Sequence, residues 1–309
     1  MLELLYKMQP LDYVYLLVGI ILFIFAIQSF LDKEHKYRIG TGLFWLLYSV
    51  SFIFGSYLSK EINGWLVIAM AVIVLVKQLG KGNYFESAIE FKKGEAVCIG
   101  NVIFVPALLV GIITFIIGFF TKLGALVGLA IAAIIAMFAA LYITKANVKQ
   151  GFHEGRRLID AIGWTAILSQ LLAALGYLFN LAGVGKIISS AVASVVPADN
   201  VFLVVVAYCI GMVIFTMIMG NAFAAFAMIT SAIGIPMLVV AHGANPAAVG
   251  AIAMLAGYCG TLMTPMAANF NIVPVALLEM RDQYGVIKAQ LPIALIMLVL
   301  NILLMYYFI

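Results

Sequence analysis

The chain has 309 residues, of which 66% are hydrophobic and only 10% are charged, and its mean hydropathy is +1.18. Soluble domains carry about 25% charged residues, so this composition excludes a water-soluble protein. It predicts an all-α, polytopic membrane protein surrounded by the lipid bilayer. The net charge of +4 reports topology in such a protein rather than an acidic ligand. No basic patch with interleaved aromatic residues is present, so nucleic acid is not an expected partner.

The first half of the sequence predicts five membrane-crossing helices, because each apolar run approaches the roughly 20 residues that a bilayer requires. In chain order the predicted spans are 11–31, 40–58, 62–76, 101–120 and 123–143. The first run is long and follows a segment that carries Glu3 and Lys7. This pattern is typical of a first membrane helix rather than a cleavable signal peptide.

Basic residues in the loops predict the orientation of these spans. Eleven basic residues lie in alternate loops, namely Lys33, Lys36, Arg38, Lys77, Lys81, Lys92, Lys93, Lys145, Lys149, Arg156 and Arg157. Only three lie on the opposite side, namely Lys7, Lys60 and Lys122. Because cytoplasmic loops are enriched in Lys and Arg, this bias predicts an N-terminus outside. Residues 1–157 are thus interpreted as a transmembrane support region that ends at a basic cytoplasmic loop.

The second half, residues 158–309, is less regular and is interpreted as the region that carries the substrate or ion site. Runs long enough to cross are 158–181, 201–219 and 291–309, and the apolar run after Gly220–Asn221 continues to about Val240. Shorter apolar pieces occupy 187–196, 247–258 and 272–278. Segments too short to cross are typical of re-entrant hairpins or broken helices. The whole chain is therefore predicted to have about ten membrane segments, re-entrant ones included.

The most informative stretch is 200–278, which contains no Asp, Glu, Lys or Arg and yet is interrupted three times. Gly-Asn stands at 220–221, AHGANP at 241–246 and CGTLMTPMAANFN at 259–271. Irregular backbone at membrane depth is tolerated only where it is buried in protein or lines a polar cavity. Interrupted hydrophobic segments are also the best sequence pointer to a transporter's binding site.

Hydroxyl and amide side chains lie near these interruptions, and they can bind a ligand without a formal charge on the protein. Pro265 prevents a continuous helix and frees carbonyl groups that can coordinate Na⁺, whereas the N-terminus of a resuming helix suits a carboxylate. The predicted binding residues are Ser169, Gln170, Gly220, Asn221, Gly260, Thr261, Thr264, Pro265, Asn269 and Asn271. The alternative is that they only cap and join neighbouring helices. For Asn221, Ser169 and Gln170 the two interpretations are left open.

Other polar residues favour structural roles. His242 in AHGANP is expected in a turn rather than in a proton relay. Asp160 is expected as a helix-terminal charge at the membrane interface, the alternative being a coupling carboxylate, and Lys186 is expected to reach toward the interface. Cys98, Cys209 and Cys259 form no CxxC pair, which favours packing over a disulfide or a metal site.

The chain is not expected to be an enzyme. HExxH, Walker and GxSxG motifs are absent from the sequence, and each of those catalytic classes depends on its motif. No metal or cofactor is predicted, apart from a transported Na⁺ or H⁺. A dense chain of intramembrane Asp, Glu and His is also absent, which disfavours a dedicated proton pump.

Three segments, 163–185, 219–236 and 241–280, resemble the bacterial domain-of-unknown-function 979 family. That family is assigned as one subunit of a 5-oxoproline (pyroglutamate) transporter, beside a second, smaller membrane subunit. The broken-helix pattern also resembles the ion-transporter superfamily of carboxylate carriers, which use paired hairpins and elevator-like movement. The resemblance implies a multi-pass protein of the bacterial inner membrane with those two partners, the small carboxylate and the second subunit.

The predicted function is therefore a subunit of a secondary, ion-gradient-driven transporter for 5-oxoproline or a similar small carboxylate. Amide and hydroxyl side chains suit the lactam of 5-oxoproline, which both donates and accepts hydrogen bonds. A homo-oligomer is compatible with this reading. The alternatives are a non-transporting scaffold or regulatory subunit of a transporter complex and, last, a membrane enzyme.

Overall fold

The computed structural model describes residues 8–82, 84, 89–197 and 199–309, without the side chains of residues 89–93 and 180. Lys7 and Glu3, used above for topology, lie outside the described residues. All regular elements within those ranges are helical. The chain divides into two compact units, Met1–Gly163 and Trp164–Ile309, and each is described by itself.

The described residues of unit 1 form seven α-helices. In chain order they are α1 (Pro10–Leu31), α2 (Arg38–Phe54), α3 (Lys60–Leu75), α4 (Ile89–Ile99), α5 (Val105–Phe120), α6 (Ala125–Thr144) and α7 (Val148–Ile162). A 3-10 turn, Gly100–Phe104, joins α4 to α5, and the helical span from Gly94 to Phe120 is 27 residues long. That span begins earlier than the predicted 101–120 because the helix extends back through the loop expected there.

Helices α1 and α2 pack closely because small residues face each other. The side chain of Ser49 donates to the backbone oxygen of Gly19 over 2.7 Å. A Cβ on Gly19 would collide with Ile53, so only glycine permits this approach. Phe44 and Trp45 are almost wholly buried and form the centre of the unit.

The basic segment up to Arg157, expected as a loop, is helical, because Val148–Ile162 forms α7. Asn147 caps its first turn by accepting from the Gln150 backbone over 2.8 Å, and the Gln150 side chain accepts from the Asn147 backbone over 2.9 Å. This capping box stabilises a helix start whose charged residues otherwise resemble a loop. The helix ends at Gly163, which has φ +55°, so the single span predicted for 158–181 is interrupted there.

Within 164–197 and 199–309, unit 2 has seven α-helices and one π-helix. In chain order they are α8 (Thr165–Leu181), α9 (Val184–Val195), α10 (Val201–Met219), α11 (Ala222–Ile229), the π-helix Thr230–Val240, α12 (Pro246–Leu262), α13 (Ala268–Leu277) and α14 (Gly285–Tyr307). The turn before α12 contains Gly243, with φ +68°, and Asn245, which caps α12. His242 stands at this predicted turn.

The core of unit 2 lies where α10, the π-helix and α12 meet. Tyr208 and Met212 of α10 are fully buried among Ile233 and Ala253 from the other two helices. The Tyr208 hydroxyl lies 2.7 Å from the Thr230 hydroxyl, which satisfies both polar groups in an apolar interior. Cys209 and Cys259 are buried and free, whereas Cys98 of unit 1 is exposed and free.

Six helical segments among the described residues are long and apolar enough to cross a membrane, or seven if α7 and α8 count as one broken span. They are Pro10–Leu31, Gly94–Phe120, Ala125–Thr144, Val201–Met219, Ala222–Val240 and Gly285–Tyr307. Four shorter apolar helices have 10–17 residues, namely Arg38–Phe54, Val184–Val195, Pro246–Leu262 and Ala268–Leu277. The structure thus supports an all-helical membrane protein, while the predicted count of about ten membrane segments is not confirmed.

Candidate substrate and ion site

The first interruption, Gly220–Asn221, is a tight turn between two antiparallel helices. Gly220 adopts the left-handed conformation with φ +63°, and its N–H donates to the Thr216 backbone oxygen over 2.7 Å. The Asn221 side chain then accepts from the backbone N–H groups of Phe223 at 2.9 Å and Ala224 at 3.4 Å. Glycine ends one helix and asparagine caps the next, which is the usual chemistry of those positions.

The third interruption, which the sequence predicts from Gly260 to Asn271, is shorter in the structure. Helix α12 continues to Leu262, and α13 resumes at Ala268, so only five residues depart from α-helix. Asn271, in the first turns of α13, reaches back and donates to the backbone oxygens of Thr261 at 2.8 Å and Thr264 at 2.6 Å. Asn271 therefore satisfies carbonyl groups that the end of α12 leaves without helical partners.

The structure brings two interruptions together, the turn at 220–221 and the connection at 263–267. The Thr264 hydroxyl donates to the Met217 backbone oxygen over 2.9 Å and accepts from the Met266 N–H at 3.2 Å. A Cβ on Gly220 would stand 2.5 Å from the Met266 backbone oxygen. A Cβ on Gly260 would stand 2.7 Å from the Val213 backbone oxygen. Gly220 is thus required for the approach of the two interruptions, and Gly260 for the close packing of α12 on α10 beside them.

Six predicted residues contribute to this joined region, namely Gly220, Asn221, Gly260, Thr261, Thr264 and Asn271. Pro265 and Asn269 belong to the same connection but are exposed. Ser169 is exposed on α8, and Gln170 is half-buried with a buried Oε1 that has no hydrogen-bond partner in the described structure. Helix α8 reaches the region through Leu172, whose side chain packs against Gly220.

The joined region lies at one end of the crossing helices. Helix α10 has 19 residues, and at 1.5 Å per residue it extends about 28 Å, close to the thickness of the hydrocarbon core. Gly220 follows its last residue. Two helices of membrane-spanning length, Val201–Met219 and Ala222–Val240, therefore flank this turn.

Thr216 is a member of this region that the sequence analysis did not select. It is fully buried on α10, and no described residue gives its hydroxyl oxygen a hydrogen-bond partner. Its Cβ would lie 2.9 Å from a Cβ on Gly260, and its hydroxyl 3.4 Å from a Cβ on Gly257. The sequence did carry a signal for Thr216. It is a polar residue in an otherwise apolar run, four residues before Gly220, where the helix ends.

A second polar cluster, in unit 1, surrounds Asp160. Its two carboxylate oxygens accept from the Trp45 indole N–H at 2.8 Å and from the Tyr84 hydroxyl. Arg156 lies 3.9 Å from Asp160 and donates to Asp32 over 2.9 Å. Burial, followed by the hydrogen bond to Asp160, raises the pKa of Tyr84 well above its usual value. Asp160 is thus part of a buried network rather than an isolated terminal charge.

Unit 1 also contains an open cleft of about 520 Å³ beside the first loop, lined by Lys33, Glu34, His35, Lys36, Tyr37, Arg38, Ile39 and Gln78. None of the predicted site residues lines it. Within the described ranges, no three His, Cys, Asp or Glu side chains are grouped in a way that would hold a metal ion.

These features define a polytopic α-helical membrane protein with an uncharged polar region at the contact of two helix interruptions. The chain belongs to the family described as "Protein of unknown function (DUF979)", whose model matches residues 12–309. No curated protein and no solved structure matches the chain. Function must therefore be argued from the site itself.

Proposed function

We infer that the chain is a subunit of a secondary membrane transporter for a small carboxylate such as 5-oxoproline. The observation that carries this proposal is the contact between two helix interruptions in a unit whose residues 200–278 lack any charge. An anchor or a scaffold needs only uninterrupted helices, whereas transporters use interrupted ones to present backbone groups to their solutes.

The substrate class rests on chemistry and on the resemblance of segments 163–185, 219–236 and 241–280 to a family assigned to 5-oxoproline transport. The exposed Asn269 side chain lies in the first turn of α13, and the amino end of a helix favours a carboxylate. The amide groups of Asn269 and Gln170 can both donate to and accept from a lactam.

The proposed mechanism is movement driven by an ion gradient, with unit 2 carrying the solute and unit 1 supporting it in an elevator-like alternation. In this proposal the protein resides in the bacterial inner membrane with its N-terminus outside and works with a second, smaller membrane subunit. The loop charges that set the orientation belong to unit 1, where Lys33, Lys36 and Arg38 are close in sequence.

The test is uptake of radiolabelled 5-oxoproline by proteoliposomes. The vesicles would contain this chain alone, the second subunit alone, or both, under an imposed Na⁺ or proton gradient. Gradient-driven uptake that needs this chain is the expected result. Uptake by the second subunit alone would favour the scaffold alternative and remove the transport role proposed here.

A variant pair links uptake to the site. Thr264→Val removes the hydroxyl that joins the two interruptions, while Ser190→Ala removes an exposed hydroxyl that bonds only within α9, to Ile187. Uptake should fall strongly in the first variant and remain in the second. Equal uptake would separate transport from the contact of the two interruptions and would sink this site assignment.

A further inference from the structure

The orientation of the Asn271 side chain is fixed by its partners. Its amide group lies 2.8 Å from the Thr261 backbone oxygen and 2.6 Å from that of Thr264. Carbonyl oxygens can only accept, so both contacts must be made by Nδ2, which has two hydrogens to donate. The Oδ1 atom must then point away from them. It is buried, and none of the described residues donates to it.

A second oxygen with the same property lies on the neighbouring helix. Thr216 is fully buried, and its hydroxyl oxygen has no hydrogen-bond partner within the described ranges. Thr216 closely approaches Gly260, which places it where α10 and α12 meet. Gly260 directly precedes Thr261, whose carbonyl oxygen accepts from Asn271. A buried oxygen without a donor costs about 1–3 kcal/mol, so two of them, one on α10 and one on α13 where each meets the end of α12, require an explanation.

The electrostatic field at this contact favours a positive ligand. Helices α10 and α12 run parallel, since Thr216 approaches Gly260 and the later Met217 approaches Thr264. Their carboxyl ends therefore point the same way, and each carries about half a negative charge. The amino ends of α11 and α13 oppose them. The first is capped by Asn221, and at the second the N–H groups of Ala268, Phe270 and Asn271 already donate to backbone oxygens of Met266 and Ala267. No Lys or Arg occurs from 200 to 278 to balance this field.

We propose that Asn271 Oδ1 and Thr216 Oγ1 belong to a binding site for a monovalent alkali-metal cation at the joined carboxyl ends of α10 and α12. Neutral oxygens without a carboxylate suit such an ion, whereas Ca²⁺ and Mg²⁺ sites in proteins use carboxylates. Backbone oxygens at the two helix ends supply further ligands. Resting on the proposed transport function, the bound cation is the coupling ion, and its charge offsets that of the carboxylate substrate.

The primary experiment measures ion binding by the purified full chain without substrate or gradient. Melting is followed with a thiol-reactive dye in a Cys98→Ser background, so that the buried Cys209 and Cys259 report the opening of unit 2. Na⁺, K⁺ or Li⁺ replaces choline at constant ionic strength. A ligand that binds only the folded state raises the melting temperature, by about 5 °C near a hundredfold excess over Kd.

Two variants at Thr216 test the assignment without disturbing Asn271. Thr216→Val keeps the shape and removes the oxygen, and the apparent ion affinity should fall about tenfold, the effect of about 1.4 kcal/mol. Thr216→Ser keeps the oxygen and should retain the wild-type affinity. Asn271→Ala should abolish the ion-dependent shift, and the Thr216 pair decides the matter if that variant does not fold.

Identical melting in every alkali chloride and in choline, with no ²²Na⁺ retained by the protein, would overturn the proposal and leave water as the partner of these oxygens. Wild-type ion affinity in both Thr216→Val and Asn271→Ala would overturn it equally. A cation that binds to a chain unable to support uptake would refute the transport function and leave the site standing. Uptake without cation binding would refute the cation site and leave the transport function standing.

Discussion

Gly220 and Met266 approach so closely that a Cβ on Gly220 would stand 2.5 Å from the Met266 backbone oxygen. The two residues belong to separate interruptions, 46 positions apart in sequence by their numbers. Gly220 also adopts φ +63°, a conformation that residues with a Cβ enter at a cost of about 1–2 kcal/mol. The contact therefore depends on glycine for two independent reasons.

The first prediction separates those reasons with a matched pair. Gly220→Ala should lower the free energy of unfolding by about 1–2 kcal/mol through backbone strain. The collision with Met266 should lower it by about 1–3 kcal/mol more. Gly243→Ala should show only the loss from backbone strain, because Gly243 has φ +68° but open space around its Cβ position. The midpoint of thiol labelling of Cys209 and Cys259 on heating measures both. Equal midpoints for the two variants would deny the close contact.

The second prediction concerns the Thr264 hydroxyl. Thr264→Val keeps the side-chain shape but leaves the Met217 oxygen and the Met266 N–H without this partner. Since Thr264 is buried, the loss should lower the free energy of unfolding by about 1–3 kcal/mol. Asn269→Ala, at an exposed position of α13, should stay within about 0.5 kcal/mol. Thermal melting of both variants in the same detergent checks this contrast.

If Thr264→Val melts with the wild type, the two interruptions are not joined through this hydroxyl. If Asn269→Ala melts normally but no longer supports 5-oxoproline uptake, Asn269 contacts the solute rather than the fold. Stability and uptake are therefore recorded on the same preparations.

The third prediction addresses the buried network of unit 1. Asp160→Ala leaves the Trp45 indole and the Tyr84 hydroxyl without their acceptor and leaves the Arg156 charge with one carboxylate fewer. Removing one partner of a buried pair costs about 3–5 kcal/mol. Asp282→Ala removes an exposed ion pair with Lys288, 2.8 Å long, and should leave the melting temperature almost unchanged, because solvent screens exposed ion pairs.

Tryptophan emission measures this difference if Trp45 is the only tryptophan left. Trp65 and Trp164 are exposed and are replaced by Phe in the common background. A blue-shifted Trp45 signal that survives in Asp160→Ala, with unchanged melting, would mean that the hydrogen bond contributes nothing to unit 1.

Several elements could be predicted from the sequence because local chemistry determines them. The apolar run from Leu11 to Leu31 and the turn at Gly220–Asn221 follow from composition, glycine conformation and asparagine capping. Helix α7 was missed because its charges resemble a loop, although Asn147 and Gln150 form a capping box that was readable. For α7 the capping signal was present in the sequence, but the charged residues of the segment were given more weight than the cap.

Other features arise from tertiary contacts and have no local signal. The π-helix Thr230–Val240 contains the Tyr208–Thr230 hydroxyl contact and packs Gly234 against the Tyr208 ring, neither of which a sequence window reveals. Among the candidate site residues, Asn271 was selected for its polarity, but its orientation depends on Thr261 and Thr264. The exposure of Asn269 and the burial of Thr216 likewise depend on how α10, α12 and α13 pack.

The packing of α10 on α12 gives a final prediction with opposite signs at two glycines of one helix. A Cβ on Gly260 would stand 2.7 Å from the Val213 backbone oxygen and 2.9 Å from the Thr216 Cβ.

Gly260→Ala should therefore push the helices apart and cost about 1–3 kcal/mol. Gly250 also lies inside α12, but its Cβ would meet only the Phe226 ring at an ordinary 3.6 Å. Gly250→Ala should raise the free energy of unfolding by about 0.5–1 kcal/mol, because alanine loses less conformational freedom in a helix. Melting midpoints that move together in the two variants would contradict the close helix contact on which the proposed cation site depends.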